Sequence, residues 1–219
     1  MTCLKFFAGA TATLALVALM ATASASAAGG TTICKVNETP CSTVNHYGAG
    51  TKFRAVSGPM TLKRTWSGLT ETITCNSSDL TGQLTSTGSN SAGVEAQVTS
   101  LRFVECVLAG SACENFTFAS GASPWKGVFS NTPGTMNGTL ALSNGATGLK
   151  VVTRCPQGGT ECPYTASAAT LEVIGGEKGS LVATKQQLKG TNPSCAPLLD
   201  WDATYTIVEL VPFYLAQSF

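Results

Sequence analysis

The sequence is poor in the residues that most catalytic and metal-binding sites use. It contains one histidine, His46, and only 11% of its 219 residues are charged. A single imidazole excludes a metal site built on two histidines, and it excludes the H-E-x-x-H motif. No G-x-S-x-G motif or comparable nucleophile motif accompanies His46. The sequence therefore argues against imidazole-based hydrolysis, and we assign it no catalytic residue, no metal ligand and no cofactor.

An excess of charge of one sign is also missing. Of the 13 Lys and Arg residues one, Lys5, lies in the first 28 residues, which leaves 12 basic against 12 acidic residues in the rest of the chain. A chain without net charge has no long-range field to attract nucleic acid or anionic lipid. By contrast, 27 threonines and 18 serines lie beyond Gly30. Because threonine suits a pleated, half-buried surface, we expect hydroxyl groups to replace charges on exposed strand faces.

Long apolar runs occur only at the start of the chain. Lys5 precedes an apolar stretch from Phe6 to Met20, and small residues follow it. The stretch is shorter than the roughly 20 residues that cross a bilayer, and it has the three parts of a secretory signal. We therefore predict a signal peptide over residues 1–28 with cleavage between Ala25 and Gly29. The mature chain is predicted to be secreted or held at the cell surface without a membrane span.

The rest of the sequence has the pattern of an all-β protein. Short β-like runs alternate with Gly, Asn, Pro and Ser, and no segment of a dozen residues keeps a helical apolar period. The clearest alternation runs from Ala203 to Leu210. We predict one all-β domain over residues 29–219, folded as a disulfide-stapled antiparallel β-sandwich or, as the alternative, a small closed β-barrel.

Eight cysteines follow the predicted signal peptide, and six of them repeat the spacing C-x6-C. An even number of cysteines in an exported chain points to disulfides, whereas zinc sites need closer spacings and usually histidines. Turn-forming residues lie between the cysteines of each C-x6-C copy, so each copy can close locally. The predicted disulfides are Cys34–Cys41, Cys106–Cys113, Cys155–Cys162 and, by elimination, Cys75–Cys195.

A second candidate site is the tripeptide Asp200-Trp201-Asp202. Residues two apart on a strand share a face, so both carboxylates can point into one cleft. Glycoside hydrolysis needs two such carboxylates, and Trp201 could stack on a sugar ring. The competing interpretation is a solvated pair with Trp201 packed in the core on the opposite face. Since aromatic residues make up only 7% of the chain, we expect most of them to be used in the core.

The sequence also resembles a known group of proteins. The resemblance rests on the C-x6-C loops, the segment Ser100–Cys106 (SLRFVEC) and the segment Trp201–Thr206 (WDATYT). The chain is similar in these features to uncharacterised exported proteins of high-GC soil bacteria. That resemblance implies an exported, β-rich, cysteine-paired protein, and it implies no catalytic residues.

Three functions from different classes are compatible with these observations. The first, which we prefer, is a non-catalytic extracellular or envelope-associated module that binds a cell-envelope component or a glycan, or has a structural role. The second is a secreted carboxylate-dependent hydrolase acting on polysaccharide, with Asp200 and Asp202 as its candidates. The third is an inhibitor or ligand-binding protein that presents disulfide-closed loops, because cross-linked loops lose less entropy on binding.

Overall fold

A computed structural model describes residues 30–66, 68–88, 93–108, 117–120, 124–143, 149–154 and 161–218. The predicted signal peptide, 1–28, lies outside these residues. The regular structure is almost entirely β, with one short 3-10 turn at Thr43–Asn45. The strands are β1 (Thr31–Cys34), β2 (Lys52–Ser57), β3 (Met60–Trp66), β4 (Leu69–Leu84), β5 (Val94–Leu108), β6 (Thr117–Ser120), β7 (Trp125–Asn131), β8 (Gly138–Ser143), β9 (Leu149–Arg154), β10 (Cys162–Ala166), β11 (Ala168–Ile174), β12 (Ser180–Gly190), β13 (Leu198–Glu209) and β14 (Tyr214–Gln217).

Eight antiparallel strands close into a barrel. Starting from β2, the ring runs through β4, β5, β7, β8, β11, β12 and β13, and β13 pairs with β2 to complete it. The predicted all-β, antiparallel, disulfide-stapled fold is confirmed. Of the two predicted architectures, the structure has the closed barrel rather than the two-layer sandwich. Closure leaves the strands of the ring without a free edge, which is the usual way for a β protein to avoid edge-to-edge association.

Strands β2 and β3 lie end to end and act as one long strand. Both pair with β4 in a single register, with Ser57 opposite Ser78 and Met60 opposite Cys75. Gly58 and Pro59 interrupt the pairing between them. Proline has no backbone N–H to donate, so a break in the ladder is expected where it occurs.

A row of bulges crosses the middle of the barrel beside β13. Strand β13 advances three positions from Asp202 to Tyr205 while its partner advances four, from Thr61 to Ser57. On the other side of β13, strand β12 also carries one extra residue, at Lys185. A β-bulge bends its strand and increases the local twist, so this row sets the curvature of the wall.

In β4 and β5 the pleat changes face without a change of register. The buried side chains of β4 change from odd to even positions between Cys75 and Ser78, and those of β5 change between Phe103 and Cys106. The backbone φ angle is +49° at Glu105, in β5, and +45° at Lys185, in β12. Residues other than glycine rarely adopt positive φ, so these positions mark where the pleat is broken.

Below the bulge row, three more strands extend the sheet from the second half of β12. Strand β10 pairs with β12 at Tyr164 and Gly190, β9 pairs with β10, and β6 pairs with β9. Strand β6 also lies beside β5. The long strands β4, β5, β12 and β13 therefore connect the closed ring to this second part of the sheet.

A two-stranded ribbon covers the other end of the barrel. Strand β1 pairs with β14 along its whole length, and all four residues of β1 are buried. Ile33 and Leu215 of this ribbon belong to the same apolar cluster as the barrel interior. The Tyr47 hydroxyl donates a hydrogen bond of 2.9 Å to the carbonyl of Pro212. This bond connects the loop between β1 and β2 to the segment before β14.

The barrel interior contains most of the described aromatic side chains, as predicted. The side chain of Trp66 lies outside the described residues. The buried aromatic residues are Phe53, Phe103, Trp125, Phe129, Tyr164, Trp201, Tyr205, Phe213 and Tyr214. Trp201 packs edge-on against Phe103 and Tyr205, with ring centroids 6.3 and 6.2 Å away. The Tyr205 hydroxyl lies 3.0 Å from Ser78 Oγ, which donates to the Arg102 carbonyl at 2.8 Å.

The structure confirms one of the predicted disulfides and corrects the others. Cys34 and Cys41 are bonded as predicted. The predicted pairs Cys106–Cys113, Cys155–Cys162 and Cys75–Cys195 are wrong, because Cys75 is bonded to Cys106 and Cys162 is bonded to Cys195. Cys113 and Cys155 lie outside the described residues.

The physical reason for this correction is strand register. Cys75 and Cys106 stand directly opposite each other on β4 and β5, with Cα atoms 3.9 Å apart. Their sequence separation is 31, against 7 for Cys34 and Cys41. In the chain-entropy model the longer loop contributes about 3.7 kcal/mol and the shorter one about 2.5 kcal/mol. The cross-strand disulfide is thus the stronger of these two constraints on the unfolded chain.

Peptide mapping under non-reducing conditions tests the corrected connectivity. We expect linked peptides that contain Cys34 with Cys41, Cys75 with Cys106, and Cys162 with Cys195. Trypsin cleaves after Arg102, so the peptide that carries Cys106 separates from the one that carries Cys75 only after reduction. A direct disulfide bond between Cys75 and Cys195 would contradict the register of β4 and β5.

The buried Tyr205 predicts a loss of stability at alkaline pH. Burial raises the pKa of its hydroxyl, because the ionised form would lose its hydration. The contribution of neutral Tyr205 to the free energy of unfolding is fully present below its pKa in the unfolded chain, which is about 10. It is lost as the pH rises toward and through the higher pKa of the folded protein. Urea unfolding should show a steeper fall in the free energy of unfolding above about pH 10 for the wild type than for Tyr205→Phe. Equal slopes for the two proteins would contradict this assignment.

Candidate functional site

The predicted site residues Asp200, Trp201 and Asp202 lie on the first half of β13. Trp201 points into the barrel and is 3% exposed, whereas both aspartates lie on the outer face and are half-buried. The two carboxylates therefore share a face, as the strand geometry predicted. Trp201 offers no exposed ring to a ligand, because its side chain is part of the core beside Phe103 and Tyr205.

Asp202 holds the bulge in β12. Its Oδ1 accepts a hydrogen bond of 2.7 Å from the backbone N–H of Lys185, the residue with positive φ. A bulged residue loses its place in the ladder, so its N–H needs another acceptor. Asp202 supplies that acceptor from the neighbouring strand. Its second oxygen, Oδ2, accepts no hydrogen bond from the described residues.

Asp200 has a different environment, two residues away. Its Oδ1 accepts a hydrogen bond of 3.2 Å from Gln187 Nε2, and Lys63 stands opposite it on β3. Asp200 does not line the depression in which Asp202 lies. The two carboxylates stand side by side on a strand and do not face each other across a cleft, so a sugar ring cannot be held between them in the way that glycoside hydrolysis requires.

A shallow groove lies over the bulge row on this outer face. Its volume is about 420 Å³, within the range of roughly 300–1,000 Å³ found for small-molecule sites. We call it the bulge groove. Its lining consists of Pro59, Met60, Thr61, Val182, Ala183, Thr184, Asp202, Ala203 and Thr204. Strands β3, β12 and β13 each contribute to it, so its shape depends on the pairing of β13 with both neighbours.

Three threonines line the bulge groove together with Asp202. Thr61 is the cross-strand neighbour of Asp202 on β3, and Thr204 follows two positions along β13 on the same face. Thr184 lies in the bulge of β12. Among the described residues none of these three hydroxyls has a hydrogen-bond partner. The groove therefore presents three unused hydroxyls and one unused carboxylate oxygen. Asp202 was a candidate from the sequence alone, whereas no local motif distinguishes these three threonines from the other threonines of the chain.

The histidine that the sequence analysis set aside lies in the loop after β1. Its Nε2 is 3.2 Å from the carbonyl oxygen of Cys41, and its backbone forms a bridge to Cys34. Glu38 lies in the loop that the Cys34–Cys41 disulfide closes. It accepts hydrogen bonds from Asn45 Nδ2 at 2.9 Å and from the Ser42 backbone N–H at 2.7 Å. The hydrogen bond from Asn45, with that from Ser42, lowers the pKa of Glu38.

These contacts give the loop a structural role. Cys34, Glu38 and Cys41 place a carboxylate oxygen and two sulfur atoms within 4.8 Å of one another. Both sulfurs belong to the disulfide, however, and a metal requires thiolates. The ionised Glu38 carboxylate accepts the hydrogen bonds from Ser42 and Asn45. Its contribution to stability is therefore present above its pKa in the unfolded chain and is lost as the pH falls through its lowered pKa in the folded protein.

Two further depressions lie on the outer wall. One, of about 310 Å³, lies between β2 and β4 and contains Lys52, Arg54 and Glu209. Arg54 forms an ion pair with Asp79, and its Nη2 atom lies 2.6 Å from Asp79 Oδ2. The other, of about 290 Å³, contains Lys126 and Glu95, which are paired with each other at 2.7 Å. Arg54, Glu95 and Lys126 are therefore ion-paired within the protein, whereas Lys52 and Glu209 have no ion pair with the described residues.

Comparisons with protein-family models, with curated proteins and with solved structures found no match for this chain. Among the described residues no helix is long and apolar enough to span a membrane. The three disulfides within the described part of the chain are consistent with an extracellular protein, since such bonds persist in oxidising compartments.

The structural role of Asp202 can be separated from its charge by two substitutions. Asp202→Ala removes the acceptor for the Lys185 N–H, and we expect it to lower the free energy of unfolding by about 1 kcal/mol. Asp202→Asn keeps an oxygen in that position, so it should stay within about 0.5 kcal/mol of the wild type. Urea unfolding measures both values. Equal losses for the two variants would contradict the hydrogen bond to Lys185. Asp200→Ala is the matched control and should also stay within about 0.5 kcal/mol.

Proposed function

We propose that the chain is an exported, non-catalytic β-barrel module that acts by binding a component of the cell envelope or a glycan outside the cell. The observation that supports this proposal best is the arrangement of Asp200 and Asp202. One of them caps a bulge and the other bonds a neighbouring glutamine, and only Asp202 lines the groove. A groove with one carboxylate suits recognition of hydroxyl or amide groups better than chemistry that needs two.

The export part of the proposal rests on the N-terminal pattern and on the disulfides. Residues 1–28 have the charge, apolar stretch and small-residue end of a signal peptide. Cysteines that pair across strands, as Cys75 and Cys106 do, favour an oxidising compartment. The balanced charge of the chain beyond residue 28 supports a partner that is not recognised by a strong electrostatic field.

The alternative of an inhibitor that presents disulfide-closed loops has less support. Of the three C-x6-C copies, only Cys34–Cys41 closes its own loop in the described structure. The carbonyl of Cys41 and the carboxylate of Glu38 are occupied by contacts with His46 and Asn45, in the segment that follows that loop. A loop whose polar groups are used internally offers few of them to a partner.

Retention on cell-envelope material tests the proposed function. The mature protein, residues 29–219, is mixed with insoluble envelope material of a Gram-positive and a Gram-negative bacterium and sedimented. We expect a saturable fraction to sediment with at least one material, and we expect no release of reducing sugar. Because the chain beyond residue 28 has no net charge, retention should change little between about 0.05 and 0.5 M salt.

Reduced and alkylated protein is the control for this experiment and should lose retention with its fold. Release of reducing sugar that Asp200→Asn or Asp202→Asn abolishes would show a hydrolase and overturn the non-catalytic proposal. A protein that sediments with neither envelope material would overturn the binding proposal.

A further inference from the structure

We infer that the bulge groove is a binding site for uncharged saccharide, recognised through hydroxyl groups. This inference rests on the proposed function and names the ligand class and the residues of its site. The groups involved are the hydroxyls of Thr61, Thr184 and Thr204 and the Oδ2 oxygen of Asp202.

The available hydrogen-bonding groups identify the ligand chemistry. A threonine hydroxyl both donates and accepts, whereas the free carboxylate oxygen of Asp202 only accepts. A ligand that satisfies this set must itself carry groups that donate and accept at close spacing, and adjacent sugar hydroxyls do both. Some threonines elsewhere use their hydroxyls within the protein: the hydroxyl of Thr32 donates to the Thr87 carbonyl, and that of Thr135 donates to the Thr132 carbonyl. The three groove threonines do not.

The position of the groove argues against other classes of partner. It lies in the middle of a sheet, where β13 pairs with β12 on one side and β3 on the other. An extended peptide that adds a strand needs a free sheet edge, and none exists there. A phosphate or other anion would meet the carboxylate of Asp202, which is the one charged group among the described residues that line the groove. An uncharged ligand avoids this repulsion.

The apolar part of the lining suits a saccharide as well. Pro59 and Val182 contribute apolar surface at the edge of the polar cluster. A sugar ring has C–H groups on its faces and hydroxyls at its rim, so it can pack on such surface while its rim bonds the threonines. The hydrogen bond from the Lys185 N–H to Asp202 holds the bulge that forms one wall of the groove. A fixed set of hydroxyls loses little entropy when a ligand binds.

The test uses affinity gel electrophoresis of the mature protein in native gels that contain one neutral polysaccharide each: a glucan, a mannan, a xylan or a galactan. We expect at least one to retard the wild type in a concentration-dependent way. The double substitution Thr61→Val and Thr204→Val removes two hydroxyls and keeps the side-chain shape. Loss of two hydrogen bonds should raise the dissociation constant about tenfold or more.

Two further variants make the test specific. Thr139→Val, on the outer face of β8, changes an exposed threonine away from the groove and should leave the dissociation constant unchanged. Asp202→Asn keeps an oxygen that accepts from the Lys185 N–H, but it replaces the free carboxylate oxygen with an NH2 donor and removes the negative charge. It should therefore weaken binding without changing the midpoint of thermal unfolding. Thermal unfolding of the threonine variants should also be unchanged, since valine suits an exposed strand position.

The outcomes separate this inference from the proposed function. Retardation that the double variant retains in full overturns the bulge groove as the site and leaves a binding function in place. A wild type that sediments with envelope material but is retarded by none of the four polysaccharides overturns the saccharide inference alone. A loss of retardation confined to the double variant and Asp202→Asn, with Thr139→Val unaffected, supports the site.

Discussion

The pairing of β13 with strands on both sides is the constraint on which the rest of the structure depends. Its second half meets β2 and completes the eight-stranded ring, and its first half meets β3. On the opposite edge it pairs with β12. Because both neighbours carry an extra residue where β13 carries none, the wall must bend there. Ring closure, the bulge row and the groove above it are therefore consequences of one set of strand pairs.

The bulge row explains why a polar groove occurs on an otherwise regular wall. In the interior, Trp201 and Tyr205 of β13 fill the space at this level with aromatic rings. On the exterior, the extra residue of β12 leaves an N–H that the ladder does not use, and Asp202 accepts it. Bulges commonly re-aim side chains near binding sites. Here the same carboxylate stabilises the wall with one oxygen and presents the other to solvent beside Thr61 and Thr204.

Much of the fold could be predicted from the sequence, because alternation follows directly from burial of one strand face. The alternation predicted from Ala203 onward is seen in β13, where Ala203, Tyr205 and Ile207 are buried and Thr204 and Thr206 are exposed. Alternation does not predict β1, because all four residues of Thr31–Cys34 are buried. Strand β10 also has little strand signal, since it is only five residues long and contains Pro163, and proline normally argues against a paired strand.

The disulfide pairing and the groove could not be predicted from patterns within single strands. The C-x6-C spacing is a property of neighbouring residues, whereas the bond from Cys75 to Cys106 depends on the register between β4 and β5. That register is set by loop lengths and bulges, which have no simple signature in the sequence. For the same reason the shared face of Asp200 and Asp202 was predictable within one strand. The grouping of Thr61 and Thr184 with Asp202 in one groove could not be predicted, because the three residues lie on three different strands.

The central claim is that the outer face over the bulge row is the surface through which the protein works. The most direct test is a titration of isotope-labelled protein spanning residues 29–219 with a neutral oligosaccharide, in which the NMR shifts of the backbone amide and threonine methyl signals are followed. We expect saturable shifts that cluster at Thr61, Thr184, Asp202 and Thr204, on β3, β12 and β13. Shifts that cluster instead at the loop closed by Cys34 and Cys41, with the groove signals unmoved, would contradict it.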